Sequence, residues 1–251
     1  MRVLRGRAGT PTADRAVTAR ILERAATDGV WTVRVRRSHR IVAFGRRDAA
    51  SDGYEEATSI AREHGFEPVE RPVGGRVVAS TEGVLSVAVA VPDRSARGRI
   101  TDRYGVASRT LLATLREIGA DVVRGEPSRS FCPGTHSIRV RDGGKIAGIA
   151  QRVRSGAALV SGCLVVPADD VPALVDVLDP VYDALDVPFA PASVGSLADA
   201  GVSSAPTEVA RRLETALVDA EWTGADLRDP GVTRVERIDA GTDPRSDVHA
   251  G

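Results

Sequence analysis

Lysine is almost absent from this chain of 251 residues, and cysteine is nearly as scarce. Cys132 and Cys163 are the only cysteines, which allows at most one intrachain disulfide and no all-cysteine metal site. The four histidines are scattered without the spacing of metal ligands, so no metal site is predicted. Each cysteine is therefore considered first as a thiol.

Long apolar runs and an excess of charge of one sign are also missing. The apolar run over residues 84–91 is interrupted by Ser86 and is far shorter than the roughly 20 residues of a membrane helix. The segment over residues 1–7 contains three arginines and leads into a polar segment rather than an apolar one, so a signal peptide is not supported. The 34 basic residues balance 34 acidic ones, unlike a dedicated nucleic-acid binder. We expect a cytoplasmic globular protein with neither a membrane nor a nucleic acid as its partner.

The one lysine that is present, Lys145, stands against 33 arginines. One interpretation is that this single lysine has remained by chance. The other interpretation is functional, because a wide planar guanidinium does not replace a compact ammonium where space and geometry are restricted. Lys145 is therefore a candidate site residue.

Apolar residues recur with helical spacing in five segments and with strand spacing in the segments between them. Helices are predicted over 11–27, 51–64, 100–118, 170–178 and 207–220, and strands over 31–36, 41–45, 66–71, 77–78, 83–91, 121–124, 135–141, 145–153 and 157–166. The strands at 31–36 and 41–45 are predicted to form a hairpin or to be neighbours. This order favours an α+β fold, with a mixed, largely antiparallel sheet and flanking helices, over a regularly alternating Rossmann fold.

The chain divides into three predicted parts. Residues 1–185 form the main domain, and residues 186–222 are a helical C-terminal extension packed on it. Residues 223–251 are polar, glycine-rich and unpatterned, which predicts a loose tail.

Two segments bring together residues suited to binding and nucleophilic chemistry. Arg71 is followed by Gly74-Gly75, where backbone amides can approach a ligand closely, although such a pair is often only a turn. Cys132 lies in a loop between an aromatic residue and a Pro-Gly turn, whereas Cys163 lies in an apolar strand and is interpreted as core filling. A cation close to the loop cysteine would raise its thiolate fraction, so Cys132 is a candidate nucleophile for acyl chemistry.

The clearest hairpin of the sequence places Lys145 directly after the turn at 142–144. On a regular strand, Lys145 and Gln151 share one face, and Gly148 lets another chain or a ligand pass close to the other. A straight hairpin would put Cys132 opposite Arg154, roughly 30 Å from Lys145. A joint role therefore requires residues 125–132 to fold back over the sheet. We predict that this loop lies across the mouth of an apolar slot, with the cysteine sulfur within about 10 Å of the lysine amine.

These segments, taken in order, resemble the lipoate-protein ligase and octanoyltransferase family over roughly residues 12 to 180. The similarity is strongest to the lipoyl or octanoyl amidotransferase branch, which moves an acyl group from the glycine cleavage H protein to other carriers. Several motifs in the right order are more specific than any one of them. The similar stretches are Arg71-x-x-Gly74-Gly75, Glu82-Gly83-Val84-Leu85, Ser130-Phe131-Cys132-Pro133-Gly134 and residues 145–152, Lys-Ile-Ala-Gly-Ile-Ala-Gln-Arg.

The resemblance implies a catalytic domain like that of the biotin and lipoate protein ligases over residues 1–185. It implies that Cys132 is the acyl-accepting thiol and that Lys145 is aimed at the acyl carbonyl. Two positions depart from the ligase pattern, since Arg76 stands where a third glycine is usual and Ser86-Val87 replaces an Asn-aromatic pair. The residues expected to bind substrate are Arg71, Gly74, Gly75, Gly148 and Gln151.

Three hypotheses about function follow. In the first, Cys132 attacks a carrier-bound octanoyl or lipoyl carbonyl, forms a thioester and passes the acyl group to a lysine of a lipoyl-carrier domain. Its partners are the glycine cleavage H protein and E2 lipoyl domains, and it needs no cofactor. In the second, an ATP-dependent lipoate-protein ligase uses ATP and magnesium to form lipoyl-AMP, with Lys145 at the carboxyl and phosphate oxygens. In the third, the chain is a non-catalytic carrier-binding module. The loop cysteine favours the first hypothesis.

Overall fold

Residues 1–71, 75–222 and 234–238 are described by the computed structural model, and they fold around two β-sheets. The strands are β1 (Arg2–Gly6), β2 (Thr32–Arg37), β3 (Ile41–Phe44), β4 (Glu67–Glu70), β5 (Val78–Ser80), β6 (Leu85–Pro92), β7 (Val122–Arg124), β8 (Ile138–Val140), β9 (Lys145–Arg154), β10 (Ala157–Leu164) and β11 (Arg234–Ile238). The helices are α1 (Pro11–Thr27), α2 (Tyr54–Glu63), α3 (Ile100–Glu117), α4 (Asp170–Ala184) and α5 (Pro206–Asp219), with a short 3-10 turn at Pro191–Ser193. The predicted α+β class is confirmed.

The larger sheet has eight strands in the described part of the chain, in the order β11-β1-β2-β6-β10-β9-β8-β7. Strand β1 pairs in parallel with β2 and β11, and the other pairs in this sheet are antiparallel. The sheet is therefore mixed and largely antiparallel, as the order of the segments predicts.

Helices cover both faces of this sheet, because its strands present two different sets of apolar side chains. On β6, Val87, Val89 and Val91 pack into the core beneath α3 and α5, whereas Ala88 and Ala90 pack against α1. Successive side chains of a strand point to opposite faces. The valines therefore fill one core, and the small alanines let α1 approach the other face closely.

The smaller sheet has the order β4-β3-β5 and packs with α2 and α4 around a second core. Strand β3 pairs with β4 and β5, so the predicted pairing or adjacency of β2 and β3 is wrong. The three residues between these strands carry the chain from one sheet to the other, and among them the Ser38 N–H donates to the Val84 carbonyl at 2.8 Å. Two short strands with a polar connection look alike in sequence whether they pair with each other or with more distant strands.

Helix α4 is longer than the sequence predicts. It continues beyond residue 178, through Pro180, to Ala184. A proline inside a helix removes a hydrogen bond and ordinarily favours termination. Here the residues after it, Val181 and Tyr182, are buried in the second core, and this burial favours the continued helix.

The C-terminal segment predicted to be loose contains one ordered strand. Residues Arg234–Ile238 form β11 at the edge of the larger sheet, and an ion pair between Glu236 and Arg2 joins it to β1. Neither β1 nor β11 is predicted from the sequence, since the pairing between them joins residues more than 200 positions apart. The remainder of 223–251 lies outside the described residues, and the division of the chain at 185 and 222 stays a prediction. None of the helices in the described part of the chain is long and apolar enough to cross a membrane.

Candidate active site

A β-bulge in β9 redirects the side chain of Lys145. The pairing with β8 skips Ile146, and Ile146 and Ala147 both pack into the core beneath α3 and α5. Lys145 consequently points to the opposite face, where its Cε lies 3.3 Å from the position of a Cβ on Gly148. The predicted alternation, with Lys145 on the face of Gln151 and opposite to Gly148, is wrong. Gly148 leaves room for the lysine side chain itself.

The ammonium of Lys145 is buried and points at the loop that carries Cys132. Its side chain is 1% exposed, and Nζ donates to the carbonyls of Phe131 at 3.0 Å and of Cys132 at 2.7 Å. Nζ also donates to the Glu126 carboxylate, 3.1 Å from Oε1. An ammonium has three hydrogens to donate, so these three groups satisfy it fully.

The loop over residues 125–137 folds back as the sequence predicts. Its two ends are joined by a hydrogen bond from the Gly125 N–H to the Ser137 carbonyl, 3.1 Å long, and β8 begins only at Ile138. The sulfur and the carbonyl oxygen of one cysteine lie no more than about 5 Å apart, which places Cys132 Sγ within about 8 Å of Lys145 Nζ. The predicted proximity is confirmed. No slot lies between the two residues, because the lysine hydrogen-bonds the loop directly.

Cys132 has an unusual backbone conformation that two side chains hold. Its φ is +39°, in the left-handed region that residues other than glycine rarely adopt. Its N–H donates to the Tyr182 hydroxyl at 2.7 Å, and its carbonyl accepts from Lys145. The Tyr182 hydroxyl in turn donates to the Val77 carbonyl at 2.9 Å, and burial raises the pKa of this phenol, so it stays a protonated donor. Such backbone strain is concentrated at functional sites.

The Cys132 thiol faces Arg71 and Gly75. Arg71 Nη2 lies 3.2 Å from Sγ, within hydrogen-bonding distance of sulfur, and also donates to the Arg76 carbonyl. A Cβ on Gly75 would lie 2.9 Å from Sγ and 3.0 Å from Arg71 Nη2, and the φ of Gly75 is +97°. Glycine alone meets both conditions without strain. The close approach predicted at the glycine pair is made here by the cysteine, and Gly74 lies outside the described residues.

Arg76 is held by the carboxylate of Asp48, a residue that no sequence pattern marks as part of the site. Its Nη1 lies 3.2 Å from Oδ1 of Asp48, and Oδ2 of this fully buried aspartate accepts from the Gly45 N–H at 3.0 Å. Asp48 thus fastens the segment of Arg76 to the end of β3. Because the Arg76 carbonyl accepts from Arg71, the same contact helps to orient the guanidinium that faces the thiol.

Cys163 has different surroundings. It lies on β10 between Ser86 of β6 and Gly148 of β9, and it is half-buried against the second core. Burial raises the pKa of its thiol, and the nearby ammonium of Lys145 opposes the shift. A thiol with a raised pKa is a poor nucleophile at neutral pH.

Gln151 does not join the cysteine and the lysine. Its Oε1 accepts from Arg103 Nε at 2.9 Å, and its Nε2 donates to the Ile100 carbonyl at 2.8 Å. Both ends of the amide are therefore engaged with α3, on the face of the sheet opposite to α1. This placement makes Gln151 an anchor of α3, and its role in binding substrate stays a prediction.

A cavity of about 530 Å³ opens beside Arg71, between α1 and the larger sheet. Small and apolar residues of β6 and β10, among them Ala88, Leu159 and Gly162, form its floor. Five arginines also line it: Arg15, Arg34, Arg36, Arg71 and Arg152. The expected apolar slot is thus replaced by a cavity with an apolar floor and a basic rim.

Buried Asp14 fixes one wall of this cavity. Its carboxylate lies 2.5 Å from the guanidinium of Arg34 and 2.5 Å from that of Arg36, and its Oδ1 accepts from the Ala8 N–H. Burial lowers the pKa of Arg36 to about 10, and the aspartate opposes this shift. A buried carboxylate between two guanidinium groups keeps both of them charged at neutral pH.

The lipoyl protein ligase A/B catalytic domain family matches residues 11–218 of this chain. Among curated proteins, the octanoyl-[GcvH]:protein N-octanoyltransferase of Geobacillus kaustophilus is 34% identical over 119 residues, which are 47% of this chain and 42% of that protein. The lipoyl-[GcvH]:protein N-lipoyltransferase of Listeria monocytogenes is 27% identical over 139 residues, 55% of this chain and 49% of that protein. The matches thus span less than half of the length of these two relatives.

Two solved structures have the same fold. Lipoate-protein ligase A bound with ATP superposes with a TM-score of 0.67 at 22% identity, covering 87% of this chain and 84% of that one. The bipartite lipoate protein ligase of Thermoplasma acidophilum, studied with its E2 lipoyl domain, superposes with a TM-score of 0.66 at 19% identity, covering 95% and 87%. At this level of identity the likeness concerns the fold.

Proposed function

The chain belongs to the lipoyl protein ligase A/B catalytic domain family, and from this premise we propose that it is an acyltransferase that uses Cys132. It moves an octanoyl or lipoyl group from one lipoyl-carrier protein to a lysine of another. The observation that carries the proposal is the arrangement of Cys132. A loop cysteine with both peptide groups held by side chains presents its thiol to a guanidinium 3.2 Å away.

The first chemical step forms a thioester. The Cys132 thiolate attacks the carbonyl carbon of the octanoyl or lipoyl amide on the donor carrier, and the new C–S bond forms. The nitrogen of the donor lysine takes up a proton from solvent, the C–N bond breaks, and the amine leaves. Arg71 supports this step because its guanidinium, 3.2 Å from Sγ, places positive charge where negative charge develops on the carbonyl oxygen.

The second step forms the new amide. The neutral ε-amine of the acceptor lysine attacks the thioester carbonyl, its C–N bond forms, the C–S bond breaks, and the Cys132 thiolate returns. The amine proton passes to solvent or to a base. Lys145 supports both steps by holding the peptide of Cys132, since its three hydrogens are taken by Glu126 and by the carbonyls of Phe131 and Cys132. This chemistry needs neither a nucleotide nor a metal.

The cavity beside Arg71 suits the acyl chain of this reaction. Its floor of small and apolar residues accepts a hydrocarbon chain, and Arg71 connects it to the cysteine. We propose that Arg71 and Gly75 contact the substrate where the acyl chain meets the Cys132 thiol. Gly148 acts indirectly, by leaving space for the Lys145 side chain.

The curated relatives are named for transfer from GcvH, and one of the solved ligases was studied with its E2 lipoyl domain. We therefore propose the glycine cleavage H protein as the donor and E2 lipoyl domains as acceptors. A second candidate function is ATP-dependent ligation of a free acid, favoured by one observation. Two exposed arginines that line the cavity, Arg15 and Arg152, are suited to bind the phosphates of ATP.

Intact-mass measurement distinguishes these functions. The protein is incubated either with octanoylated H protein or with octanoate, ATP and magnesium, each with an unmodified lipoyl domain. We expect octanoyl transfer to the lipoyl domain only in the first mixture, and octanoylation of wild-type protein but not of Cys132→Ser when the acceptor is omitted. Cys163→Ser is the matched control and is expected to be acylated. Modification only with ATP would establish the ligase, and no modification in either mixture would support a non-catalytic carrier-binding module.

A further inference from the structure

The loop that carries Cys132 is organised around one carboxylate, that of Glu126. This carboxylate accepts hydrogen bonds from the hydroxyls of Ser130 and Ser137, from the Gly134 N–H at 2.9 Å and from Lys145 Nζ at 3.1 Å. The two serines and the glycine stand on both sides of Cys132 in the sequence. Glu126 therefore joins the two arms of the loop to each other and joins both to β9.

Glu126 also acts on the cysteine through Lys145. The lysine is 1% exposed, and a buried ammonium without a counter-ion is strongly destabilising. With the Glu126 carboxylate as that counter-ion, the remaining ammonium hydrogens are directed to the carbonyls of Phe131 and Cys132. The left-handed backbone of Cys132 is thus held on its carbonyl side by a chain of contacts that begins at Glu126.

The pair of Glu126 and Lys145 differs from an ordinary surface ion pair in the same part of the sheet. Arg141 and Asp121 form such a pair at 3.0 Å, with side chains 56% and 62% exposed. An exposed pair contributes little to stability, because solvent screens it and both side chains lose freedom. Glu126, 22% exposed and hydrogen-bonded by three partners besides the lysine, is held in one position.

We propose that Glu126 is a positioning residue for the Cys132 nucleophile: its carboxylate closes the loop and holds Lys145, which in turn fixes the peptide of the cysteine. The kinetic effects expected from this inference rest on the proposed transferase function. The expected effects on the structure of the loop do not. Loss of the carboxylate lowers the rate of the chemical step more than it weakens binding of the carrier protein. The surface that contacts the carrier is unchanged, whereas the Cys132 thiol loses its fixed orientation.

The test is a double-mutant cycle between Glu126 and Lys145, measured by amide hydrogen exchange of residues 126–137. We expect Glu126→Gln to accelerate exchange of this segment by about tenfold, Lys145→Met to do the same, and the double variant to accelerate exchange by clearly less than the product of the two single effects. Additive effects would overturn the proposal, because they would mean that Glu126 does not act through the lysine. Asp121→Asn is the matched control, and it is expected to leave exchange of the segment unchanged.

The kinetic arm uses octanoylated H protein as the donor. We expect kcat of Glu126→Gln to fall by at least about tenfold with KM within about threefold of wild type, whereas an unchanged kcat would overturn the proposal. If wild type itself shows no transfer, the proposed function fails, and the exchange cycle still decides whether Glu126 positions the loop. If Glu126→Gln does not fold, Ser137→Ala removes one of the four hydrogen bonds and must accelerate exchange in the same segment, and unchanged exchange in that variant would also overturn the proposal.

Discussion

The two cysteines of this protein lie in regions that are held in opposite ways. Cys163 belongs to β10, whose backbone is hydrogen-bonded to β6 on one side and to β9 on the other. Cys132 belongs to a loop whose peptide groups at this position are bound by side chains, the N–H by the Tyr182 hydroxyl and the carbonyl by Lys145. A strand therefore fixes one thiol through its backbone, and two side chains from other elements fix the backbone that carries the other.

This difference explains why one thiol is suited to chemistry and the other is not. A regular strand turns its side chain to one face and leaves little choice of direction. The loop permits the left-handed backbone of Cys132, which brings Sγ to Gly75 and the guanidinium of Arg71. The cost of that backbone is offset only while the surrounding side chains remain in place, so we expect the loop to be far more sensitive to single substitutions than the strand.

The largest expected difference is between the cysteines themselves. Cys132→Ser should lower octanoyl transfer by at least about 10³-fold, because a serine hydroxyl without a general base is a poor nucleophile. Cys163→Ser should remain within about threefold of wild type, since this residue takes no part in the proposed chemistry. Initial rates with octanoylated H protein measure both. Comparable rates for the two variants would contradict the conclusion that the loop thiol is catalytic and the strand thiol is not.

The next largest effect concerns Lys145→Arg, which keeps the charge. The ammonium is enclosed by three acceptors, and its Cε already lies 3.3 Å from the position of a Cβ on Gly148. A guanidinium is wider and presents its donors in a fixed fork, so the peptide of Cys132 must shift, and we expect transfer to fall roughly 100-fold. Thermal unfolding of the same variant shows whether the fold is retained. An arginine variant with wild-type activity would mean that the single lysine reflects composition alone.

Tyr182→Phe should have a smaller effect on activity, because it removes one hydroxyl and keeps the ring in the second core. The Cys132 N–H and the Val77 carbonyl would both lose a partner. We expect a loss of roughly 1–3 kcal/mol in the free energy of unfolding and roughly tenfold in kcat. Tyr54→Phe is the control, since its hydroxyl donates to Glu70 at an exposed position. Equal effects of the two substitutions would contradict the role of the Tyr182 hydroxyl in holding the Cys132 backbone.

The smallest expected effect is in thiol alkylation as a function of pH. Burial raises the pKa of Cys163, so its thiolate forms only at more alkaline pH than that of an ordinary cysteine. In the single-cysteine variants at neutral pH, iodoacetamide should therefore modify Cys163 roughly fivefold more slowly than Cys132, with the difference narrowing as the pH rises through the pKa of Cys163. A faster reaction at Cys163 would contradict this order.

Local patterns in the sequence account for much of the fold. The helix predicted over 11–27 has these bounds in the structure, and its first turn is capped by the Thr10 side chain, which accepts from the Ala13 N–H. Helix α3 and the hairpin of β8 and β9 also lie where periodicity and turn residues predict them. These features depend on contacts within a few residues, which a single sequence displays directly.

The sequence alone also identified candidate residues for the site, since it contains a loop cysteine, a single lysine and an arginine before a glycine pair. The tertiary structure decided how they meet. Arg71 and Cys132 are 61 positions apart, Tyr182 and Cys132 are 50 apart, and Glu126 has no local pattern that marks it as the centre of the loop. Such contacts arise when separate elements pack together, and the bulge that turns Lys145 toward the loop follows from the burial of Ile146 and Ala147 in one core. Periodicity specifies which face of an element is apolar, but the partners of a polar side chain are specified only by the packing of the whole chain.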